Sequence, residues 1–131
     1  MTNYITLESF IAALRHVETG GKLGTTSSTA TLGDDGASLG PLQIQDPYFK
    51  DAVELTDNLQ YSDVIHHDKA VLVMLLYLYR YDRSSFYKLQ LPLSVAEKWA
   101  RIHNGGPSGA RKKATLSYWE RVKVLLTGVL A

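Results

Sequence analysis

The residues whose types and spacing suit chemistry are Glu18, the neighbours Asp34 and Asp35, and two glycine-rich runs. The runs are Gly40-Pro41-Leu42-Gln43-Ile44-Gln45 and His103-Asn104-Gly105-Gly106-Pro107-Ser108-Gly109. Leu7, Phe10, Ile11, Leu14 and Val17 recur at helical spacing. Glu18 lies on the face that carries Ile11 and Leu14, so a carboxyl stands where an apolar side chain is expected. Gly20 and Gly21 then stop the helix, because glycine readily takes the left-handed C-cap conformation. Partial burial beside apolar walls favours the protonated form of a carboxyl, the state a general acid needs near neutral pH.

Gly33-Asp34-Asp35-Gly36 reads on local grounds as a turn. Its chemical reading pairs one of the two aspartates with Glu18. Cleavage of a glycosidic bond takes two carboxyls, one protonated and one ionised. A carboxylate in a wet, glycine-rich loop stays ionised, and glycines at both ends of the 18–34 interval let the chain fold back. The Gly40 run reads as a turn entering an extended segment, whose peptide groups and Gln43 can hydrogen-bond sugar amides. The His103 run is a helix stop on local grounds and, as a site, a close-approach loop with a donor and an acceptor.

The elements that position these residues are helical. Thr6 is placed to cap a helix over Leu7 to Thr19. The 20–39 interval is expected to be an irregular loop with a small hairpin, Thr29 to Leu32 pairing with Leu42 to Ile44. Asp46-Pro47 opens a helix with Tyr48, Phe49, Ala52 and Val53 inward. A helical turn is expected near Ser62 to Ile65. Asp68 is expected to cap a helix to Tyr81 that is apolar nearly all round, hence central and buried, with Tyr77, Tyr79 and Tyr81 continuing outward. Ser94 and Glu97 have capping-box spacing ahead of Val95, Trp99 and Ile102. Thr115 begins a last helix with Leu116, Trp119, Val122, Leu126 and Val129 as its apolar stripe. The expected architecture is one domain over residues 1–131, mainly α in an α+β arrangement, with five to six helices and a long loop or small hairpin near the N-terminus.

The chain has 131 residues and is 45% hydrophobic, enough for a packed core. A formal charge of +1 gives no support to nucleic-acid binding. There is no cysteine, so packing alone must hold the fold. No signal peptide is visible, and no apolar run is long enough for membrane insertion. Synthesis in the cytoplasm is expected, with an export or lysis route that the residues do not disclose. His66 and His67 make no convincing metal set, and no cofactor is implied. Arg111-Lys112-Lys113 reads as a solvated loop. Tyr48, Phe49, Trp99, Tyr118 and Trp119 are mostly core by spacing, with one or two left to stack on sugar rings.

Taken in order, these segments resemble invertebrate-type, destabilase-like lysozymes. The matching pieces are Val17-Glu18-Thr19-Gly20-Gly21, Asp34-Asp35-Gly36, Ser38 through Gln45 followed by Pro47-Tyr48-Phe49 and Asp51, Arg80-Tyr81, Ala100 through Pro107 with Gly109, and Thr115-Leu116 with Tyr118-Trp119. The resemblance implies a lysozyme-like fold that cleaves the β-1,4 bond between N-acetylmuramic acid and N-acetylglucosamine in peptidoglycan. It implies Glu18 as catalytic acid and Asp34, or with one residue of offset Asp35, as second carboxylate. It implies a substrate cleft lined by Asp35, Ser38, Gln43, Ile44, Tyr48, His103, Asn104 and Gly105. The partners implied are peptidoglycan strands and an inhibitor or immunity protein. Family members are typically rich in disulfides, and the absence of cysteine here fits a bacterial or phage-type relative. Rival readings are a lytic transglycosylase on the same bond, a non-catalytic peptidoglycan- or chitin-binding module, and a helical interaction domain.

Overall fold

The computed structural model describes residues 4–20, 32–33, 38–55, 58–82 and 90–128. The chain opens with strand β1 (Tyr4–Thr6), which runs directly into helix α1 (Leu7–Thr19). Thr6 caps α1, its hydroxyl accepting the Ser9 amide at 3.1 Å. Gly20 closes the helix in the left-handed conformation, its amide donating to the His16 carbonyl at 2.8 Å.

A small antiparallel sheet follows, made of β2 (Leu32–Gly33), β3 (Ser38–Leu39) and β4 (Ile44–Gln45). The expected hairpin is corrected here. Leu32 pairs with Leu39 and Leu39 pairs with Ile44, so β3 lies between the two segments expected to pair. Residues 29–31 of that expectation lie outside the described residues. The β3–β4 turn is tight at Gly40, which has φ +84°, and a Cβ added there would collide with the Val64 carbonyl.

Helix α2 (Asp46–Ala52) leaves β4 without a gap; Gln45, not Asp46, is its N-cap, and Asp46 instead pairs with Lys50 at 2.9 Å. A 3₁₀ turn over Tyr61–Ile65 leads into α3 (His67–Tyr81). The cap of α3 is His66, while the Asp68 carboxylate accepts the Lys69 amide. This helix is less enclosed than its composition suggests. Val73, Met74, Tyr77 and Leu78 are buried, but Leu72 is 44% exposed. Tyr77 therefore belongs to the core and does not project outward.

Strand β5 (Gln90–Pro92) pairs antiparallel with β1, Ile5 opposite Leu91, and runs directly into α4 (Leu93–Gly105). The expected capping box does not form: Pro92 is the N-cap, and Glu97 binds Arg101 at 2.8 Å. Helix α5 (Leu116–Thr127) ends at Gly128 in the left-handed conformation. Its first residue, Leu116, is 41% exposed, and Val129 lies outside the described residues.

The core is a single cluster fed by every helix. Phe10 and Leu14 of α1, Phe49 of α2, Met74 and Leu78 of α3, Trp99 of α4 and Val122 of α5 meet in it. Burying each such side chain contributes roughly 1.5–3 kcal/mol. Phe10 packs edge-on against Trp99 with ring centres 6.1 Å apart. The Trp99 indole donates to Asp82 at 2.8 Å, satisfying its one polar group inside the core.

Gly40→Ala combines left-handed backbone strain with a collision against main chain. It is expected to lower unfolding free energy by about 2–5 kcal/mol, read from the urea midpoint. An unchanged midpoint would mean that the turn is not as tight as described.

Candidate active-site cleft

Glu18 sits in the last turn of α1, where Leu14 one turn earlier is fully buried. Its side chain is 16% exposed. The Tyr118 hydroxyl, from the second residue pair of α5, donates to its Oε2 at 2.6 Å. Burial pushes the Tyr118 hydroxyl well above the ordinary phenol value, and the charge and hydrogen bond of Glu18 push it further. Tyr118 therefore keeps its proton and acts as a donor.

His103 faces Glu18 from α4, with Nε2 3.5 Å from Oε2. Its position comes from three elements at once. Nε2 lies 3.0 Å from the Leu42 carbonyl in the β3–β4 turn, and Nδ1 lies 2.8 Å from the Tyr48 hydroxyl of α2. A carbonyl only accepts, so Nε2 carries the hydrogen and Nδ1 accepts from Tyr48 when the ring is neutral. Tyr48 stacks on Tyr77 at 3.7 Å with the rings 11° from parallel. Burial, then the nearby Tyr77 and the Glu18 charge, raise its ionisation well above the usual range, which leaves it a donor too.

Around Glu18 and His103 opens a cavity of about 350 Å³, lined by Glu18, Ser38, Gln43, Gln45, Tyr48, His103 and Asn104. Four of these, Gln45, Tyr48, His103 and Asn104, also line a neighbouring cavity of about 530 Å³ that continues past Tyr77, Gly105 and Pro107 to Lys112. The two form one groove along the end of α4. Gln43 is held in a positive-φ turn (φ 52°) with its side-chain amide donating to the Gly40 carbonyl at 3.0 Å.

The structure thus brings Glu18, Ser38, Gln43, Tyr48, His103, Asn104 and Gly105 to one groove. Ile44 is not on it. Its side chain is fully buried, and its carbonyl accepts the Tyr61 hydroxyl at 2.7 Å, so strand pleating turns it into the core. His103 to Gly105 form the last turn of α4, not a loop, and the Gly105 carbonyl accepts from Lys112 at 2.6 Å. Asp34 and Asp35 lie outside the described residues; Gly33 just before them pairs with the buried Ser38. Tyr118 and Gln45 were not among the expected cleft residues. Tyr118 is a hundred residues from Glu18, and only its helical register with Val122 marked it as inward-facing. Among the described residues no group of His, Asp and Glu is arranged to hold a metal ion, and no helix is long and apolar enough to cross a membrane.

No family model matches the chain. It is 65% identical over 26 residues to a lysozyme of Magallana gigas, covering 20% of this chain and 19% of that protein. It is 55% identical over 31 residues to invertebrate-type lysozyme 6 of Caenorhabditis elegans, 24% of this chain and 22% of that one. The chain thus matches only about a fifth of the length of these curated relatives. The likeness in structure is far wider. A chain in the crystal structure of Aeromonas hydrophila PliI in complex with Meretrix lusoria lysozyme superposes with a TM-score of 0.68 at 26% identity, over 98% of this chain and 99% of that one. Tapes japonica lysozyme gives 0.66 at 25% identity, over 88% and 87%. The mainly helical fold with its small sheets is lysozyme-like.

The packed tyrosines carry a pH signature. Burial, with Tyr81 and Asp51 nearby, pushes Tyr77 up to about 12. The unfolded chain ionises this group near 10, so the folded state loses stability as pH rises from about 10 to about 12. Urea midpoints measured across that window should fall, and Tyr77→Phe should flatten the fall. Equal slopes in both proteins would remove Tyr77 as the cause.

Proposed function

We propose that this chain is a muramidase. It hydrolyses the β-1,4 bond between N-acetylmuramic acid and N-acetylglucosamine in peptidoglycan, with Glu18 as general acid and Asp34 as second carboxylate; Asp35 is the alternative. The observation that carries this reading is the half-hidden Glu18 carboxyl, with one oxygen held by Tyr118 at 2.6 Å, on the wall of a polar groove. Because Oε2 is committed to Tyr118, Oε1 is the oxygen that delivers the proton to the bridging oxygen of the glycan. As the bond to that oxygen breaks, positive charge grows on the ring carbon, and a carboxylate opposite stabilises or captures it before water completes hydrolysis. Asp34 directly follows Gly33, which pairs with Ser38, and Ser38 lines the groove. That tether supports Asp34 as the partner.

The amides of Gln43, Gln45 and Asn104 and the face of Tyr48 suit the acetamido groups and rings of such a glycan. The likeness to lysozymes in local sequence and in whole-chain fold supports the same substrate class. The structures of Meretrix lusoria lysozyme in complex with PliI and bound to an inhibitor support an inhibitor as a second partner. The cysteine-free composition supports a bacterial or phage-type relative that reaches cell wall by lysis or export.

Turbidity clearing of bacterial cell walls tests this reading. Glu18→Gln should lose roughly 10²–10⁴-fold in rate, the usual worth of general acid catalysis. Equal clearing by variant and wild type ends the assignment. Asp34→Asn and Asp35→Asn, tested side by side, should differ, the larger loss marking the second carboxylate. Tyr118→Phe removes a hydrogen bond to an ionisable group and should lower kcat about 10–100-fold with little change in KM. A rise in KM alone would make Tyr118 a substrate contact instead of a positioning residue.

A further inference from the structure

The far part of the groove, the cavity of about 530 Å³ that runs past Tyr77 to Lys112, holds polar groups that bond cleavage does not use. Tyr77 is only 4% exposed, and none of the hydrogen bonds among the described residues uses its hydroxyl. That hydroxyl is turned to the cavity. Gly106 lines the same space with φ +90°, and a Cβ built on it would meet only the Tyr77 oxygen, at 3.9 Å. Buried hydroxyls without partners are uncommon, and a bound acceptor removes their cost. Burial first, then the charges of Tyr81 and Asp51, push Tyr77 up to about 12, so it has a hydrogen to give. Asp51 and Lys112 line the cavity as well. The Asp51 Oδ2 accepts the Tyr81 hydroxyl at 2.7 Å, and the influence of its charge on Tyr77 places the carboxylate near that hydroxyl too. The Lys112 ammonium gives one of its three hydrogens to the Gly105 carbonyl at 2.6 Å. Gly105 is itself a lining residue, so the ammonium stands on the cavity wall. Neither Asp51 nor Lys112 is in an ion pair among the described residues.

We infer that this end of the groove takes the peptide stem carried by the muramic acid units. The inference rests on the muramidase reading and extends it to what the enzyme selects. Sugars whose lactyl group is peptide-linked are uncharged, so they give a carboxylate and an ammonium nothing to pair with. A stem peptide carries a terminal carboxylate for Lys112, an ammonium or a peptide N–H for Asp51, and peptide carbonyls for the Tyr77 hydroxyl. The stem branches from the glycan beside the bond to be cut. Gln45, Tyr48, His103 and Asn104 line both cavities, so a branch can pass from one to the other. Further sugar units would fill the space and leave both charges without a partner.

The probes are N-acetylmuramyl-alanyl-isoglutaminyl-lysine and its neutral form, a C-terminal amide with the lysine side chain acetylated. Calorimetry on the whole chain should show the charged compound binding and the neutral one binding roughly tenfold or more weakly, the loss expected for one charge-assisted contact. Lys112→Gln should weaken the charged compound by a similar factor. Ala114→Phe, at an exposed lining position, should block both by filling the cavity, with circular dichroism reporting that the variants remain folded. In kinetics, wild type should cut soluble peptide-bearing strands with a kcat/KM roughly tenfold above that for strands stripped of their stems by an amidase, and Lys112→Gln should lower this ratio. A variant that merely folds poorly lowers both rates and leaves the ratio unchanged. Equal binding of the two compounds, full binding by folded Ala114→Phe, or equal cleavage of the two strands by wild type would each overturn the inference and leave the muramidase reading standing. Cleavage of neither strand would sink the muramidase reading instead, and the calorimetry would still decide whether the stem is bound.

Discussion

A carboxyl that is only 16% exposed must find hydrogen-bond donors, and the Tyr118–Glu18 contact at 2.6 Å meets that need. The contact ties the end of α1 to the start of α5, the first and last helices of the described chain. It also breaks the symmetry of the carboxyl, since Oε2 alone takes the Tyr118 hydroxyl and faces His103. The phenol performs this because burial keeps it protonated. An exposed tyrosine would make the same bond only in competition with water.

His103 is the second junction. Its ring is fixed by the Leu42 carbonyl on one side and the Tyr48 hydroxyl on the other, and Tyr48 rests on Tyr77. Turn, α2, α3 and α4 thus converge on one imidazole whose side chain is 2% exposed. Both ring nitrogens of His103 have partners, which fixes how the imidazole is turned. Gln45 and Asn104 line the same groove and are exposed.

How much of this was legible in the residues depended on range. The α1 boundaries, its Thr6 cap and its Gly20 stop were readable because capping is settled within one turn. The Ser94–Glu97 spacing points to a box that does not form, because Pro92 and β5 set the start of α4 and Glu97 binds Arg101. The strand pairing is not legible because two-residue strands carry almost no periodicity, and nothing local marks Ser38–Leu39 as the middle strand. The resemblance puts Ile44 in the cleft, and a two-residue strand carries too little alternation to show that its side chain turns into the core. Glu18 stood out by breaking an apolar stripe. Tyr118 did not, since an aromatic on an apolar stripe looks like ordinary core, and its hydroxyl's partner lies a hundred residues away.

The β1–β5 pair gives α1 and α4 a common origin. Each helix starts on the residue after its strand and runs for thirteen residues. Glu18 is the twelfth residue of α1, counting from Leu7, and His103 the eleventh of α4, counting from Leu93. The pair works as two rulers read from one zero mark. One inserted residue in either helix would lift its functional group about 1.5 Å and swing it about 100° around the axis. In any lineage descended from this chain, an insertion ahead of Glu18 in α1 or ahead of His103 in α4 would turn that side chain out of the groove, and a matching insertion in the other helix would not bring it back.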